Sequence, residues 1–308
     1  MAGRARTERP LAHLNGRQPE APSWFRQALA QLPEERFVTV DGARIEALSW
    51  GVVGAPGLLF IHGNLAHARW WSFIAPFLAK THRVTALSLS GMGRSDHRPA
   101  YALEQFGREA MAVAEATGLF ESSTPPVIVG HSAGAGPTAL LSDVHGDRLA
   151  GIVILDSGIR PPAMMPPQPP PRDSSRVYAT IEDALASYRF TPPQKSDQLY
   201  IVDWIARHAL KKVEGGWSWR FDPRMFSQVR ASEAWHHLLA ARCPIVFING
   251  ERSLLTPPER VAFVRSAVPA GTVFITVPEA AHHLMVDQPL AVVTAIRAVL
   301  AQWDHGCS

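Results

Sequence analysis

The chain has 308 residues, a formal net charge of +3 and 46% hydrophobic residues, enough for one large α/β domain or a core with an insertion. Only 19% of residues are charged, which excludes a disordered chain, and Lys and Arg are spread rather than clustered, which argues against nucleic-acid binding. Cys243 and Cys307 make no disulfide framework, no apolar stretch follows the polar first nine residues, and no run of eighteen apolar residues offers a membrane span. The expectation is a cytoplasmic protein, monomer or homodimer, acting on a small molecule.

Residues 1–22, rich in Arg, Pro, Gly and Ala, read as a loose arm, and Ser23 can begin a short helix to about residue 32. Residues 37–50 alternate around Asp41-Gly42, a hairpin signal. A continuously apolar strand at 57–61 runs into His62-Gly63-Asn64. A helix at 68–78 and a strand at 84–87 follow, then the loop Ser90-Gly91-Met92-Gly93-Arg94-Ser95-Asp96. That loop lacks the third glycine of a dinucleotide fingerprint and no helix follows it at once. Residues 103–117 read as an amphipathic helix.

The most informative stretch is Val127-Ile128-Val129-Gly130-His131-Ser132-Ala133-Gly134-Ala135-Gly136. A short buried strand meets Gly-x-Ser-x-Gly and then small residues that can open a helix, the pattern of a nucleophile elbow. The turn must be sharp, so Gly130 and Gly134 relieve its crowding. Ser132 is then raised at the end of the sheet, above helical N–H groups that can stabilise an oxyanion.

Another buried strand, residues 149–155, ends at Asp156. Apolar strands alternating with helices predict a mainly parallel sheet covered on both faces. The pattern breaks at residues 161–171, where seven of eleven residues are proline. Helical pieces at 174–188, 194–210 and 223–240, with no strong strand from 157 to 240, predict a helical cap. Sheet elements resume at 244–250 and 272–277, with helices at 257–268 and from 287 or 288 to about 302. The expected division is an arm and short helix at 1–34, a core at 35–156 and 241–308, and a cap at 157–240.

Over residues 35–303 the chain resembles the α/β-hydrolase superfamily. Four features carry the resemblance in the family's chain order: His62-Gly63-Asn64, the loop at 91–96, the elbow at 130–134, and a late histidine before Asp287-Gln288-Pro289. The resemblance implies an eight-stranded, mostly parallel sheet with helices on both faces and a helical cap. It implies Ser132 as nucleophile and His282 as base, with Ala281 as the small residue preceding that histidine and His283 as the rival. It also implies an oxyanion hole from the backbone N–H groups of Asn64 and Ala133, and a structural role for His62.

The acid departs from the common pattern. Where many relatives carry Gly-x-x-Asp after the seventh strand, this chain reads Gly250-Glu251-Arg252-Ser253. Asp156 can take that role from the sixth strand, as in haloalkane dehalogenases, and Glu251 is the alternative; Asp222 and Asp287 are weaker ones. A serine rather than an aspartate at position 132 argues against dehalogenation and against epoxide opening through an ester intermediate. Pocket candidates are Asn64, His131, Trp70, Trp217, Trp219 and His283. Trp71, Phe73, Phe221, Phe226 and Trp235 add aromatic surface that can equally be core, and Met164 and Met165 can edge a lid. His236-His237 and His282-His283 lack structural-zinc spacing, and no metal or cofactor is expected.

The expected activity is hydrolysis of a carboxylic ester, lactone or thioester of a small apolar or aromatic substrate through an acyl-enzyme. One alternative is carbon–carbon bond hydrolysis of a ring-cleavage product, for which Arg189, Arg207, Arg220 or Arg230 would have to meet an acidic substrate. Another is a hydrolase fold reused for ligand binding.

Overall fold

A computed structural model describes residues 9–164, 176–228 and 234–304. The core strands are β1 (Glu34–Val40), β2 (Ala43–Trp50), β3 (Gly57–Ile61), β4 (Arg83–Leu87), β5 (Val127–His131) and β6 (Gly151–Leu155). A separate pair, β7 (Leu210–Val213) and β8 (Gly216–Trp219), lies in the cap, and β9 (Ile245–Gly250) and β10 (Val273–Val277) complete the core. The eight core strands form one sheet in the order β1-β2-β4-β3-β5-β6-β9-β10. The first two junctions are antiparallel and the rest parallel, so the expected mostly parallel sheet is present.

Successive residues of the central strands feed opposite faces, as the pleat requires. Leu58, Phe60, Val127, Val129, Val153 and Leu155 enter one cluster with the short helices α1 (Ser23–Ala30) and α2 (Ala75–Leu78). Leu59, Ile61, Ile128, Ile152 and Ile154 enter the other, with α3 (Leu103–Ala116) and α4 (Ala135–Val144). The cap contributes α5 (Ile181–Ala186), α6 (Leu199–His208) and α7 (Ala234–Leu239). The core then continues with α8 (Pro258–Ala267), α9 (Leu284–Asp287) and α10 (Pro289–Asp304). No helix among the described residues is long and apolar enough to cross a membrane.

Several elements differ from the sequence reading. The helix expected at 68–78 is a 3-10 turn at Ala68–Trp71 and the single turn α2, because Pro76 brings no N–H and is tolerated only at a helix start. The stretch read as strand-free holds the β7–β8 hairpin, turned at Glu214-Gly215 with Gly215 at φ 78°. The described part of the arm is not loose: Leu11 is 2% exposed, and the carbonyl of Gly16 accepts a hydrogen bond from Arg207 at 2.6 Å. Its leucines find apolar cover that composition alone does not reveal. Of the cap pieces, 174–175 and 229–233 lie outside the described residues, as do Met165, the prolines at 166–171, Arg230, Cys307 and the side chain of Phe226. Helix α7 falls inside the expected cap range yet packs with the second cluster; His237 Nδ1 stands 2.7 Å from Asp143 Oδ2 of α4.

The Gly-rich loop is tied to the core by a buried charge cluster. Glu109, fully buried on α3, accepts from Arg98 Nε at 2.9 Å and from the Ser90 N–H at 2.9 Å. Arg98 also donates to the carbonyls of Val40 and Asp41 at the hairpin turn. Beside it, His62 Nδ1 donates to the Gly63 carbonyl at 2.7 Å and Nε2 accepts from the Leu89 N–H at 3.0 Å. This is a neutral ring by its donor–acceptor pattern. Burial pushes its pKa down to about 4, and that of His67 well below the ordinary 6.5.

Two outcomes follow from these contacts. Glu109→Ala strands the Arg98 guanidinium and lowers the unfolding free energy by about 3–5 kcal/mol in urea titrations. Because His62 and His67 are neutral when folded and basic when unfolded, the stability they contribute is complete above about pH 6.5 and is lost as pH falls toward about 4. Melting temperatures measured across that window therefore drop with acid, and His62→Gln flattens the drop.

Candidate active site

Four neighbouring parallel strands deliver the site, β5, β6 and β9 together with β10, which His282 follows. His131 at the end of β5 pairs in register with Leu155 at the end of β6, so Ser132 and Asp156 leave the sheet side by side. Leu155 in turn pairs with Ile248 of β9, whose Gly250 opens the next loop. Both Ser132 (φ 55°) and Asp156 (φ 40°) hold the left-handed backbone region, which is strained for residues with a Cβ. The strain at Ser132 is enforced by close packing. A Cβ on Gly134 would come within 2.6 Å of the carbonyl oxygens of Ile61 and His62, and one on Gly63 within 2.8 Å of Ser132 Cβ. The turn therefore nests against the His62-Gly63-Asn64 loop, and α4 starts directly after it.

Ser132 is half-buried, and its hydroxyl donates to His282 Nε2 at 2.9 Å. On the other side of the ring, His282 Nδ1 donates to Asp156 Oδ1 at 2.8 Å. Asp156 is fully buried and His282 is 2% exposed. The carboxylate accepts three further bonds: from Ser253 Oγ at 2.6 Å on Oδ1, and from the Gly250 N–H at 2.7 Å and Thr256 Oγ1 at 2.9 Å on Oδ2. Four donors on two oxygens satisfy a buried charge that would otherwise be costly.

The histidine loop is held at three consecutive residues. Asp287 accepts the Ala281 N–H at 2.8 Å, His131 Nε2 donates to the His282 carbonyl at 3.0 Å, and Gln194 Oε1 of the cap accepts the His283 N–H at 2.8 Å. Ser157 Oγ donates to the Ser132 carbonyl at 2.9 Å, joining the two strained turns.

The other candidate acids lie elsewhere. Glu251 is exposed and accepts the Glu279 N–H at 2.9 Å. Asp287 caps the histidine loop as described; burial pushes its pKa up. Asp222 binds the Tyr101 hydroxyl and Arg224; burial alone would raise its pKa, but these partners outweigh it and hold the carboxyl at about 2. Thr256, Ser157 and Gln194 were not singled out in the sequence, and Ser253 only as the residue standing where an acid is usual. A hydroxyl at the end of Gly-x-x-Ser, where an acid is usual, is the one local signal for Ser253.

The pocket candidates separate. Asn64 is exposed beside Leu65, which has φ 62°. Trp219 lines a cavity under the cap, together with Phe221. Trp217 is half-buried and pairs its backbone with Tyr178. Trp70 is buried with its ring 5.2 Å from that of His283, and His283 lies 4.9 Å from the Phe190 ring. Burial pushes the pKa of His131 and of His283 well below the ordinary value, so both stay neutral. Trp71 stacks on Phe60 at 4.6 Å and Phe73 is fully buried, so both are core; Trp235 stacks on Phe263. Among the described residues, one group has the makings of a metal site: His131, His282 and His283, whose ligand atoms lie within 4.8 Å of one another. An ion held there through His282 Nε2 would take that nitrogen from Ser132.

Residues 58–295 match the family model of the Alpha/beta hydrolase family. The chain is 27% identical over 173 residues to RutD of Caulobacter segnis, a protein named for carbamate hydrolysis; the match covers 55% of this chain and 61% of that protein. It is 23% identical over 287 residues to the esterase Rv0045c of Mycobacterium tuberculosis, covering 89% of this chain and 92% of that one. The crystal structure of that esterase superposes with a TM-score of 0.67 at 20% identity, over 91% of this chain and 97% of the other. A thioesterase domain from the curacin biosynthetic pathway superposes with a TM-score of 0.71 at 21% identity, over 86% of this chain and 99% of that domain. At these identities the structural likeness is one of fold. Because the family match runs from the third strand into the last helix, across the strained serine, the aspartate at the end of β6 and the late histidine, the chain belongs to the alpha/beta hydrolase family.

Proposed function

We propose that this protein hydrolyses a carboxylic ester, or a lactone or thioester, of a small substrate through an acyl-enzyme on Ser132. The observation that carries the reading is the single imidazole of His282, bonded at one nitrogen to the Ser132 hydroxyl and at the other to Asp156. Ser132 Oγ attacks the carbonyl carbon while His282 Nε2 takes its proton. Asp156 keeps the ring in the tautomer whose Nε2 can accept, and stabilises the imidazolium that forms. The tetrahedral oxyanion is held by the backbone N–H groups of Asn64 and Ala133, in line with Gly63 packing against Ser132 Cβ. The C–O bond breaks, the alcohol leaves with the proton from His282, and water activated by the same ring releases the acid. In this reading Asp156, rather than Glu251, is the acid, which is supported by its burial and its bond to His282.

The experiment is hydrolysis of short and medium p-nitrophenyl esters, with fluorophosphonate labelling located by mass spectrometry. Ser132→Ala abolishes labelling and lowers kcat by about a thousandfold or more, and Asp156→Asn lowers kcat by a comparable factor because the wrong tautomer is favoured. Glu251→Gln leaves kcat within about twofold. A steep loss in Glu251→Gln with little in Asp156→Asn would move the acid to the β9 loop and sink this assignment.

Ser253→Ala removes one of the four donors on Asp156. It lowers kcat about tenfold, equivalent to ~1.4 kcal/mol, with KM unchanged. A KM effect without a kcat effect would instead put Ser253 in substrate binding.

A further inference from the structure

A cavity of about 330 Å³ lies between the cap and the loops at the top of the sheet. It starts at Leu65, one residue beyond Asn64, and extends between Tyr188 and Trp219 of the cap. Three arginines line it, Arg176, Arg189 and Arg220, and no aspartate or glutamate among the described residues does. The charge of this wall is therefore uncompensated from within.

The arginines of the cap fall into two kinds. Arg207 is neutralised: its Nε donates to Asp203 at 2.7 Å and its Nη2 to the Gly16 carbonyl. Around the cavity, Arg69 and Arg94 are likewise paired with Glu35. Arg220 is different. It is half-buried, its Nε donates to the Leu210 carbonyl at 2.8 Å, and no described carboxylate lies within ion-pair distance of it. The Leu210 bond steadies one edge of the guanidinium and leaves the terminal nitrogens for another acceptor. Burial pushes its pKa down; the Glu46 carboxylate offsets part of this at longer range, and the Arg94 and Arg69 cations add to it. Arg189 is exposed at the same cavity and has no described ion-pair or hydrogen-bond partner, and Arg176 lies over the Tyr178 ring at 5.0 Å.

A half-buried guanidinium without an anion is unfavourable unless something supplies one. The planar fork of arginine suits the two oxygens of a carboxylate or phosphate. We infer that this cavity binds an oxyanion group carried by the substrate, so that the preferred esters are not purely apolar but bear a second, ionised group away from the scissile carbonyl. Arg220 and Arg189 are the specificity residues, and Tyr188 and Trp219 cover the linking chain. The substrate assignment rests on the ester-hydrolase reading; the anion site itself does not.

The test compares p-nitrophenyl butyrate with the mono-p-nitrophenyl esters of succinate, glutarate and adipate, and with 4-carboxyphenyl butyrate, which carries the charge on the leaving group. Expected is a kcat/KM at least tenfold above the neutral ester for one of the charged esters, expressed mainly in KM. Arg220→Gln and the Arg189→Gln/Arg220→Gln double variant reduce that advantage to threefold or less while p-nitrophenyl butyrate stays within twofold. Arg220→Lys retains part of the advantage, and Arg207→Gln, the ion-paired control, retains all of it. The inference is overturned if no charged ester outperforms the neutral one, or if the advantage survives the double variant. If no ester is turned over, the ester reading fails separately, and the anion site is read by calorimetry on Ser132→Ala. Binding of glutarate or inorganic phosphate that disappears with Arg220→Gln keeps the site, the stronger of the two naming its source. Absence of binding by both rejects it.

Discussion

The parallel register of β5, β6 and β9 is the constraint on which the rest of the site depends. Parallel neighbours end at the same edge of a sheet, so residues that follow paired positions emerge together. Pairing of His131 with Leu155 puts a serine and an aspartate at adjacent strand ends, and pairing of Leu155 with Ile248 brings the Gly250 loop alongside. A one-residue slip in either pairing would exchange the faces of the strand residues and disrupt the packing of Val153 and Ile154, which are fully buried in opposite clusters. The core thus sets the geometry of the chemistry before any polar contact forms.

Polar contacts then refine that placement at short range. Asp156 sits in a backbone conformation that a side chain resists, and four hydrogen bonds compensate for it. The same logic governs the histidine loop, where three consecutive residues are each held by a different element. His282 is oriented from its backbone as well as through its ring, so its Nε2 meets Ser132 without searching rotamers. Position 253 gains meaning in this light. Its serine is bonded to the β6 carboxylate, whereas a second acid there would set two buried negative charges against each other.

What could be read from the sequence follows the range of the interactions involved. The elbow was legible because strand, glycines, serine and helix start lie within ten residues and obey local sterics. A mostly parallel sheet covered on both faces was legible because apolar strands alternating with helices admit few topologies, and Ser132 and His282 stood out through the resemblance to the α/β-hydrolase superfamily. Elements decided by packing were not. The helix read at 68–78 overran Pro76, and the β7–β8 hairpin was hidden because Trp217 and Trp219 read equally well as scattered cap aromatics. The choice between Asp156 and Glu251 as the partner of His282 is a matter of which side chain turns inward, and spacing carries no information on that. Nor does composition distinguish Arg207, ion-paired with Asp203, from Arg220, which has no ion pair among the described residues.

The first described residues and α1 have a bearing on how anything reaches Ser132. Phe25 packs its ring 4.9 Å from Tyr200 and 6.5 Å from Trp204 on the cap helix α6, and 5.8 Å from Phe73 below. Arg207 of the same helix is tethered to Gly16. The N-terminal segment is therefore a strap, fastened to cap and core at once. Swinging the cap away would peel this aromatic seam into water, at roughly 1.5–3 kcal/mol for each ring exposed. A rigid swing of the cap off the core therefore carries that cost, in addition to loss of the Gly16–Arg207 bond.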